Sequence, residues 1–417
     1  MYVAQGWNSW CTGGACAQPG YVRNSSRPSL HDVCNELEIK QIATAMLSNG
    51  MRAAGYSYIN LDDCWVGLER TAQGELTWDA ERFPSGLPNL IEWLHSKSFL
   101  FGLYTAAGNL TCSTGGRVNP SGAGGAPGSG GSTAAGMPTP EHYATDASTF
   151  ARWGVDYVKL DWCRMPDTAL LHMQAMTTAF SSALNATGRP MWLNFHCLGP
   201  WASWCATEGN SWRIGPDHHD SWSSLRQVLL ILAEVGSHGG PYRWNDPDFL
   251  MTGGAGCDEF TPGEHCPGMT DAEYKTEFTL WSVSAASMLV ATDVRVLTPL
   301  QREVLLNQEL LAVNQVSGPA GGLVYRPIGG HGTGTEVWMR QLAEGTAAVA
   351  VFNPTNKTAA VDVEFSKLKL PGCSIAKCTV KLRDLWAHAD VSGTQSGKYK
   401  VELEPHATAA FKLTVVA

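Results

Sequence analysis

The chain reads as an α/β protein in which a (β/α)8 barrel is followed by an antiparallel β-sandwich. Three observations carry this reading. From residue 1 to about 318, apolar strand-like runs alternate with helical patterns, and such alternation builds a parallel sheet. Eight units in roughly 300 residues match the count of a closed barrel. Polar residues recur at strand ends: Asp62, Tyr104, Asp161, His196 and Asp246 all fall at C-terminal ends, where barrel enzymes assemble their sites. Beyond about 318 the pattern changes to short strands divided by turn residues, the signature of a sandwich of about 100 residues. The expected domains are therefore 1–318 and 319–417. A doubly wound open sheet is the runner-up, but no GxGxxG follows the first strand.

The elements follow in order. Strand segments are "GWNSW" (6–10), "YSYINLDD" (56–63), "FLFGLYT" (99–105), "DYVKLD" (156–161), "MWLNFH" (191–196), "SWRIG" (211–215), "YRWND" (242–246) and "SMLVATD" (287–293). In "ELEIKQIATAMLSNG", Ile39, Ile42, Met46 and Leu47 recur at helical spacing and Gly50 is a stop. Further helices are expected near 87–97, 141–153, 167–186, 220–236, 270–286 and 298–313. Residues 113–140, rich in Gly, Ser, Ala and Pro, read as a flexible insertion on the catalytic rim. The sandwich strands are "VWMRQL", "TAAVAVFN", "AAVDVEF", "CTVKLRDL", "KYKVELEP" and "TAAFKLTV".

One stretch points to chemistry. In "DYVKLDWC" (156–163), period-two alternation puts Tyr157, Lys159 and Asp161 on one face and Val158 and Leu160 on the other. A strand that buries a cation and an anion together is either a structural ion pair or the floor of a site.

Composition narrows the function classes. The net charge is −9 and no Lys/Arg-rich run occurs, which argues against a nucleic-acid partner. No run of roughly 18 apolar residues exists, so no membrane span is expected. The 16 tryptophans offer flat faces suited to a sugar ring. Twelve cysteines include four close pairs: Cys11 and Cys16, Cys197 and Cys205, Cys257 and Cys266, Cys373 and Cys378. None forms a CxxC zinc knuckle, and no metal is expected. The cysteines, with sequons at Asn24, Asn109, Asn185 and Asn356, fit an oxidising, extracytoplasmic compartment. No signal peptide precedes "GWNSW", so the chain reads as a processed or truncated form.

Six motifs in fixed order then carry a resemblance: "GWNSW", "YINLDDCW", "RFPSGLPNLIEWLHSKSFLFGLY", "FARWGVDYVKLDWC", "GNSWRIGPDHHDSW" and "WNDPDFL", continued by "GMTDAEYKTEFTLWSVSAASMLVATDVR". Together they resemble glycoside hydrolase family 27, the α-galactosidases and α-N-acetylgalactosaminidases. The resemblance implies a barrel plus a β domain, and a retaining exo-glycosidase that needs no metal or organic cofactor. Its substrate is expected to be a small or oligosaccharide galactoside. The enzyme is expected to act as a monomer or homodimer in a secreted, extracellular, lysosomal or vacuolar setting.

By position, Asp161 resembles the nucleophile and Asp217 the general acid/base. A retaining glycosidase needs two carboxyl groups about 5–5.5 Å apart, one ionised and one protonated. Lys159 supplies positive charge beside the nucleophile, and burial or neighbouring carboxylates are expected to raise the acid's pKa. Trp10 resembles the platform under the sugar, and Asp62 and Asp63 the acceptors for the 4- and 6-hydroxyls. Tyr104 and Lys159 resemble further sugar contacts, Arg213 the residue near C2, and Asp248 with Phe249 the pocket wall. Cys197 and Leu198 begin the loop that selects the C2 substituent. Leu198 stands where many α-galactosidases have Glu, so β-L-arabinopyranosidase and α-N-acetylgalactosaminidase activities are the alternatives within this fold. A silent sugar-binding protein is the alternative from another class. The resemblance also implies bridges Cys34–Cys64 and Cys112–Cys163, leaving Cys11–Cys16, Cys197–Cys205, Cys257–Cys266 and Cys373–Cys378 as local pairs.

Overall fold

A computed structural model describes residues 3–12, 34–67, 70–108, 123–124, 140–162, 173–197, 202–254, 265–327, 334–373 and 378–416. Eight parallel strands form its first layer: β1 (Gln5–Asn8), β2 (Tyr58–Leu61), β3 (Leu100–Gly108), β4 (Tyr157–Trp162), β5 (Trp192–His196), β6 (Ser211–Arg213), β7 (Trp244–Asp246) and β8 (Met288–Val290). Their order is β7-β6-β5-β4-β3-β2-β1-β8. Each strand thus lies beside its neighbour in the chain, and β8 returns to β1. The gap between β7 and β8 is bridged just beyond β7. There the Leu250 N–H donates to the Leu289 carbonyl at 2.9 Å, and the Leu250 carbonyl accepts from Ala291 N–H at 3.0 Å. The ring therefore closes, which removes the unpaired edges of an open sheet.

Helices cover the outside: α1 (Glu36–Ser48), α2 (Leu87–Ser96), α3 (Pro140–Trp153), α4 (Met173–Ala186), α5 (Ala202–Glu208), α6 (Trp222–Val235), α7 (Asp271–Ser284), α8 (Pro299–Leu305) and α9 (Gln308–Asn314). Capping explains several starts. The Asn35 side chain accepts the Glu38 N–H, and Thr270 with Glu273 forms a reciprocal capping box on α7. The single helix expected at 298–313 is in fact two. The Asn307 side chain accepts from Glu309 and Leu310 N–H at 3.1 Å each, so it begins a new helix instead of continuing the old one.

Register sets what faces the barrel interior. Tyr104 lies opposite Lys159, Lys159 opposite Asn194, His196 opposite Arg213, and Arg213 opposite Asp246. Gly102 sits opposite Asn60 and Tyr157. A side chain there would run into the Asn60 amide, so only glycine fits that level of the interior.

The second unit has two antiparallel sheets. β9 (Gly322–Tyr325), β10 (Glu336–Ala343), β11 (Thr346–Phe352), β13 (Thr379–Asp384) and β15 (Thr408–Val415) pair in the order β9-β10-β11-β15-β13, with two-residue strands at Ala389–Asp390 and Gln395–Ser396 added to β13. β12 (Ala359–Glu364) pairs with β14 (Lys398–Leu403). The large sheet is buried on both faces. Val337, Val349, Val351, Phe411 and Leu413 pack with Val361, Val363, Val401 and Leu403 of the small sheet. Trp338, Ala348, Ala350, Phe352 and Ala410 join the barrel core instead. α7 lies in this junction and is buried on nearly every side, as a helix between two layers must be. The insertion expected at 113–140 lies outside the described residues apart from Ala123–Gly124, which pair with the end of β3, and Pro140, which opens α3.

Candidate active site

The strand ends converge on a cavity of about 150 Å³, lined by Trp10, Asp62, Tyr104, Lys159, Asp161, Trp162, His196, Arg213, Asp217, Asp248 and Phe249. The lining carries four carboxylates against two fixed cations, Lys159 and Arg213. Unpaired charge at this depth is prohibitive, so the groups are organised into ion pairs.

Lys159 is central. Its Nζ lies 3.0 Å from Asp62 Oδ2 and sits 5.2 Å over the Tyr104 ring and 5.0 Å over the Phe249 ring. Burial works against its charge, but Asp62, Asp161 and Asp248 together hold its pKa above the ordinary lysine value. Asp62 is fixed further by Asn8 Nδ2, which donates to Oδ2 at 3.1 Å, and by the Asp63 N–H, which donates to Oδ1 at 2.9 Å.

Asp161 follows two residues after Lys159 on the same face of β4. His196 Nε2 lies 2.7 Å from its Oδ1, and the Trp162 N–H donates to the same oxygen at 2.8 Å. Burial pushes this carboxyl's pKa up. His196, Lys159 and the Trp162 amide outweigh that and bring it well below the usual carboxylate range. Asp161 is therefore an anion that is poorly hydrated and firmly held.

The second cluster centres on Arg213, at the end of β6. Its NH2 lies 2.9 Å from Asp248 Oδ2 and 3.1 Å from Asp217 Oδ1. Asp248 is buried, at a left-handed φ of 86°, and its Oδ2 also accepts the His218 N–H at 2.8 Å. Burial raises the Asp248 pKa, against the pull of Arg213. Asp217 lies at the rim with 67% of its side-chain surface exposed. The surrounding protein disfavours its charge, but Arg213 and Lys159 prevail and its pKa is lowered. This overturns the expectation that burial and neighbouring carboxylates raise it. The loss of hydration is the largest single influence and Asp161 adds to it, but Arg213 and Lys159 together outweigh them.

Comparison with known proteins gives the family. The family model described as alpha galactosidase A matches residues 25–119 and 124–316, and that of the alpha galactosidase C-terminal beta sandwich domain matches 332–413. The chain belongs to the alpha-galactosidase family, glycoside hydrolase family 27. It is 33% identical over 412 residues to the alpha-galactosidase of Cyamopsis tetragonoloba, covering 98% of this chain and 85% of that one. Among solved structures it is similar to alpha-galactosidase I from Mortierella vinacea, with a TM-score of 0.78, 25% identity, and coverage of 99% and 96%. A family 27 β-L-arabinopyranosidase from Geobacillus stearothermophilus is as similar, with a TM-score of 0.79, 25% identity and the same coverage. The chain is thus a glycoside hydrolase.

Against the family pattern, nine of the residues singled out in the sequence line one cavity: Trp10, Asp62, Tyr104, Lys159, Asp161, Arg213, Asp217, Asp248 and Phe249. Asp63 and Cys197 are buried but do not reach its surface, and Leu198 lies outside the described residues. Asp246 stands behind the wall, where its carboxylate accepts Asn194 Nδ2 at 2.6 Å and the Asp248 N–H at 2.9 Å. Two lining residues, Trp162 and His196, were not among the site residues named from sequence. The signal for His196 was present, since it closes the strand "MWLNFH", but a single histidine shows no spacing partner. Bridges Cys34–Cys64, Cys197–Cys205 and Cys373–Cys378 are formed. The first two tether the chain next to Asp62 and His196. For Cys11–Cys16, Cys112–Cys163 and Cys257–Cys266, at least one partner lies outside the described residues.

Proposed function

We propose that this enzyme is an exo-acting α-galactosidase that hydrolyses terminal α-D-galactosyl residues by retaining double displacement. The observation that carries the reading is the position of two carboxyl groups in one small cavity, with Asp161 deep and ionised and Asp217 at the mouth. A pocket of about 150 Å³ holds one sugar, not a chain, so the bond to be cut lies at the opening. Asp161 attacks the anomeric carbon, and the bond to the leaving oxygen breaks. Asp217 delivers its proton to that oxygen and then takes one from the water that opens the glycosyl ester.

Trp10 serves as the platform under the ring, Asp62 as an acceptor for the sugar's 4- and 6-hydroxyls, held by the Asp63 N–H, and Tyr104 and Lys159 as further contacts. Arg213, with Asp248, faces C2. A sugar lacking a matching hydroxyl leaves these buried groups unpaired, which is costly. Phe249 completes the wall. Cys197 and Leu198 lead into the loop for the C2 substituent.

Asp248 competes with Asp217 for the acid's role, because burial raises its pKa. Its Oδ2 is tied to Arg213 and the His218 amide, and it sits away from the mouth where the leaving oxygen must be. Position therefore favours Asp217. The formed disulfides support an oxidising, extracytoplasmic compartment.

Parallel assays with nitrophenyl α-D-galactoside, α-N-acetylgalactosaminide and β-L-arabinopyranoside test the substrate. The galactoside is expected to dominate in kcat/KM, and a dominant rate on either of the others would overturn that choice. Asp217→Asn is expected to lose far more on substrates with poor leaving groups than on dinitrophenyl glycosides. An equal loss on both would remove Asp217 from the acid's role.

A further inference from the structure

His196 ends β5 and lines the cavity directly against Asp161. Its Nε2 approaches Asp161 Oδ1 to 2.7 Å, and the same oxygen receives the Trp162 N–H at 2.8 Å. The His196 approach is oblique to its own N–H. Such contacts commonly align only in the reacting complex. Adjacency is fixed by the sheet: Leu160 and Phe195 are register partners on β4 and β5, so the next residue of each strand must meet. His196 is itself held in the wall, largely buried and opposite Arg213 on β6.

We propose that His196 is a positioning residue for the nucleophile, a role that rests on the reading of Asp161 as that nucleophile. The Trp162 N–H already donates to Oδ1, and once the imidazole N–H aligns in the reacting complex the two donors pin the carboxylate against rotation. Oδ2 is then the oxygen that bonds to the anomeric carbon. In the first half-reaction the C1–Oδ2 bond forms, and the bond from C1 to the leaving oxygen breaks with its electron pair and a proton from Asp217. In the second half-reaction water attacks C1, its proton passes to Asp217, and the C1–Oδ2 electron pair returns to Asp161. The carboxylate is now the leaving group, and its charge reappears beside His196. Donation from His196 therefore favours breakdown of the glycosyl-enzyme more than its formation.

The test uses His196→Ala and His196→Gln, with a dinitrophenyl galactoside as substrate. Rapid kinetics measures formation and breakdown of the intermediate, and mass spectrometry maps the sugar adduct. Losing a charged hydrogen bond predicts a drop of about 10- to 100-fold in kcat for His196→Ala. KM should fall with kcat, and an adduct on Asp161 should accumulate. His196→Gln, which keeps an N–H donor, should recover most of the rate. Galactose affinity and the urea midpoint of His196→Gln should stay near those of the parent. A kcat for His196→Ala within threefold of the parent would overturn the proposal, as would a loss confined to KM or an unchanged adduct lifetime. An adduct mapped to another residue in the parent enzyme would instead overturn the reading of Asp161 itself.

Discussion

Replacing Lys159 by Met removes the cation on which three carboxylates depend. In the native pocket Nζ stands 3.0 Å from Asp62 Oδ2, and Asp161 and Asp248 also act on it. At an effective dielectric of about 20, a contact at that distance is worth about 5–6 kcal/mol of attraction. Desolvation of both groups cancels much of it in the intact pair. Removing one partner leaves the desolvation of the other uncompensated, at a cost of about 3–5 kcal/mol. Methionine keeps the stem's packing between Tyr104 and Phe249, so the loss reports charge and not a cavity. Urea unfolding of Lys159→Met, Asp62→Asn and the double variant closes a double-mutant cycle. Lys159→Met should lose about 3–5 kcal/mol, and the double variant should be more stable than that single variant. A loss below about 1 kcal/mol, or a double variant no better than Lys159→Met, would refute the claim that this pair is coupled and buried.

Other expectations follow from the same geometry. Asp217 must be protonated to act as the acid, so kcat/KM falls as pH rises through its pKa. Arg213 lowers that pKa, so Arg213→Met should move the alkaline limb to higher pH while reducing the rate. A limb that stays put or moves down in a pH–rate profile would contradict the assignment. Gly102→Ala places a methyl against Asn60 inside the barrel and should destabilise by about 1–3 kcal/mol in urea unfolding; a neutral result would mean that level is not close-packed. Replacing both Cys34 and Cys64 by Ser opens a loop closed over a separation of 30 residues. This should cost about 3–4 kcal/mol and lower affinity for galactose, since Asp62 and Asp63 stand beside Cys64. Unchanged stability would mean the bridge constrains nothing.

The barrel was legible because its strands are short, apolar and evenly spaced by amphipathic helices, with Asp62, Asp161, His196 and Asp246 at strand ends; Tyr104, expected at an end, lies in the middle of β3, which runs on to Gly108. What escaped has local causes. β9, "GLVY", is half-buried at all four positions, so it shows neither alternation nor a solid apolar run. α5 spans only seven residues, too few for a period. The two-helix break at Asn307 depends on a cap that competes with continuation of the helix. In the site, Asp161 and Asp217 were singled out through ordered motifs, because each lies in a run of unusual residues. His196 was noted only as a strand-end residue, because its meaning comes from the β4–β5 register and not from its own neighbours. The lowered pKa of Asp217 could not be read from nearby acids, since it takes Arg213 and Lys159 together to outweigh the loss of hydration.

The stereochemistry of the released sugar tests the central claim most directly. Proton NMR of freshly hydrolysed α-galactoside, recorded before mutarotation, should show α-galactose first, because two inversions at the anomeric carbon through Asp161 restore the starting configuration. First appearance of the β-anomer would mean a single displacement by water, and Asp161 would then not be the attacking group.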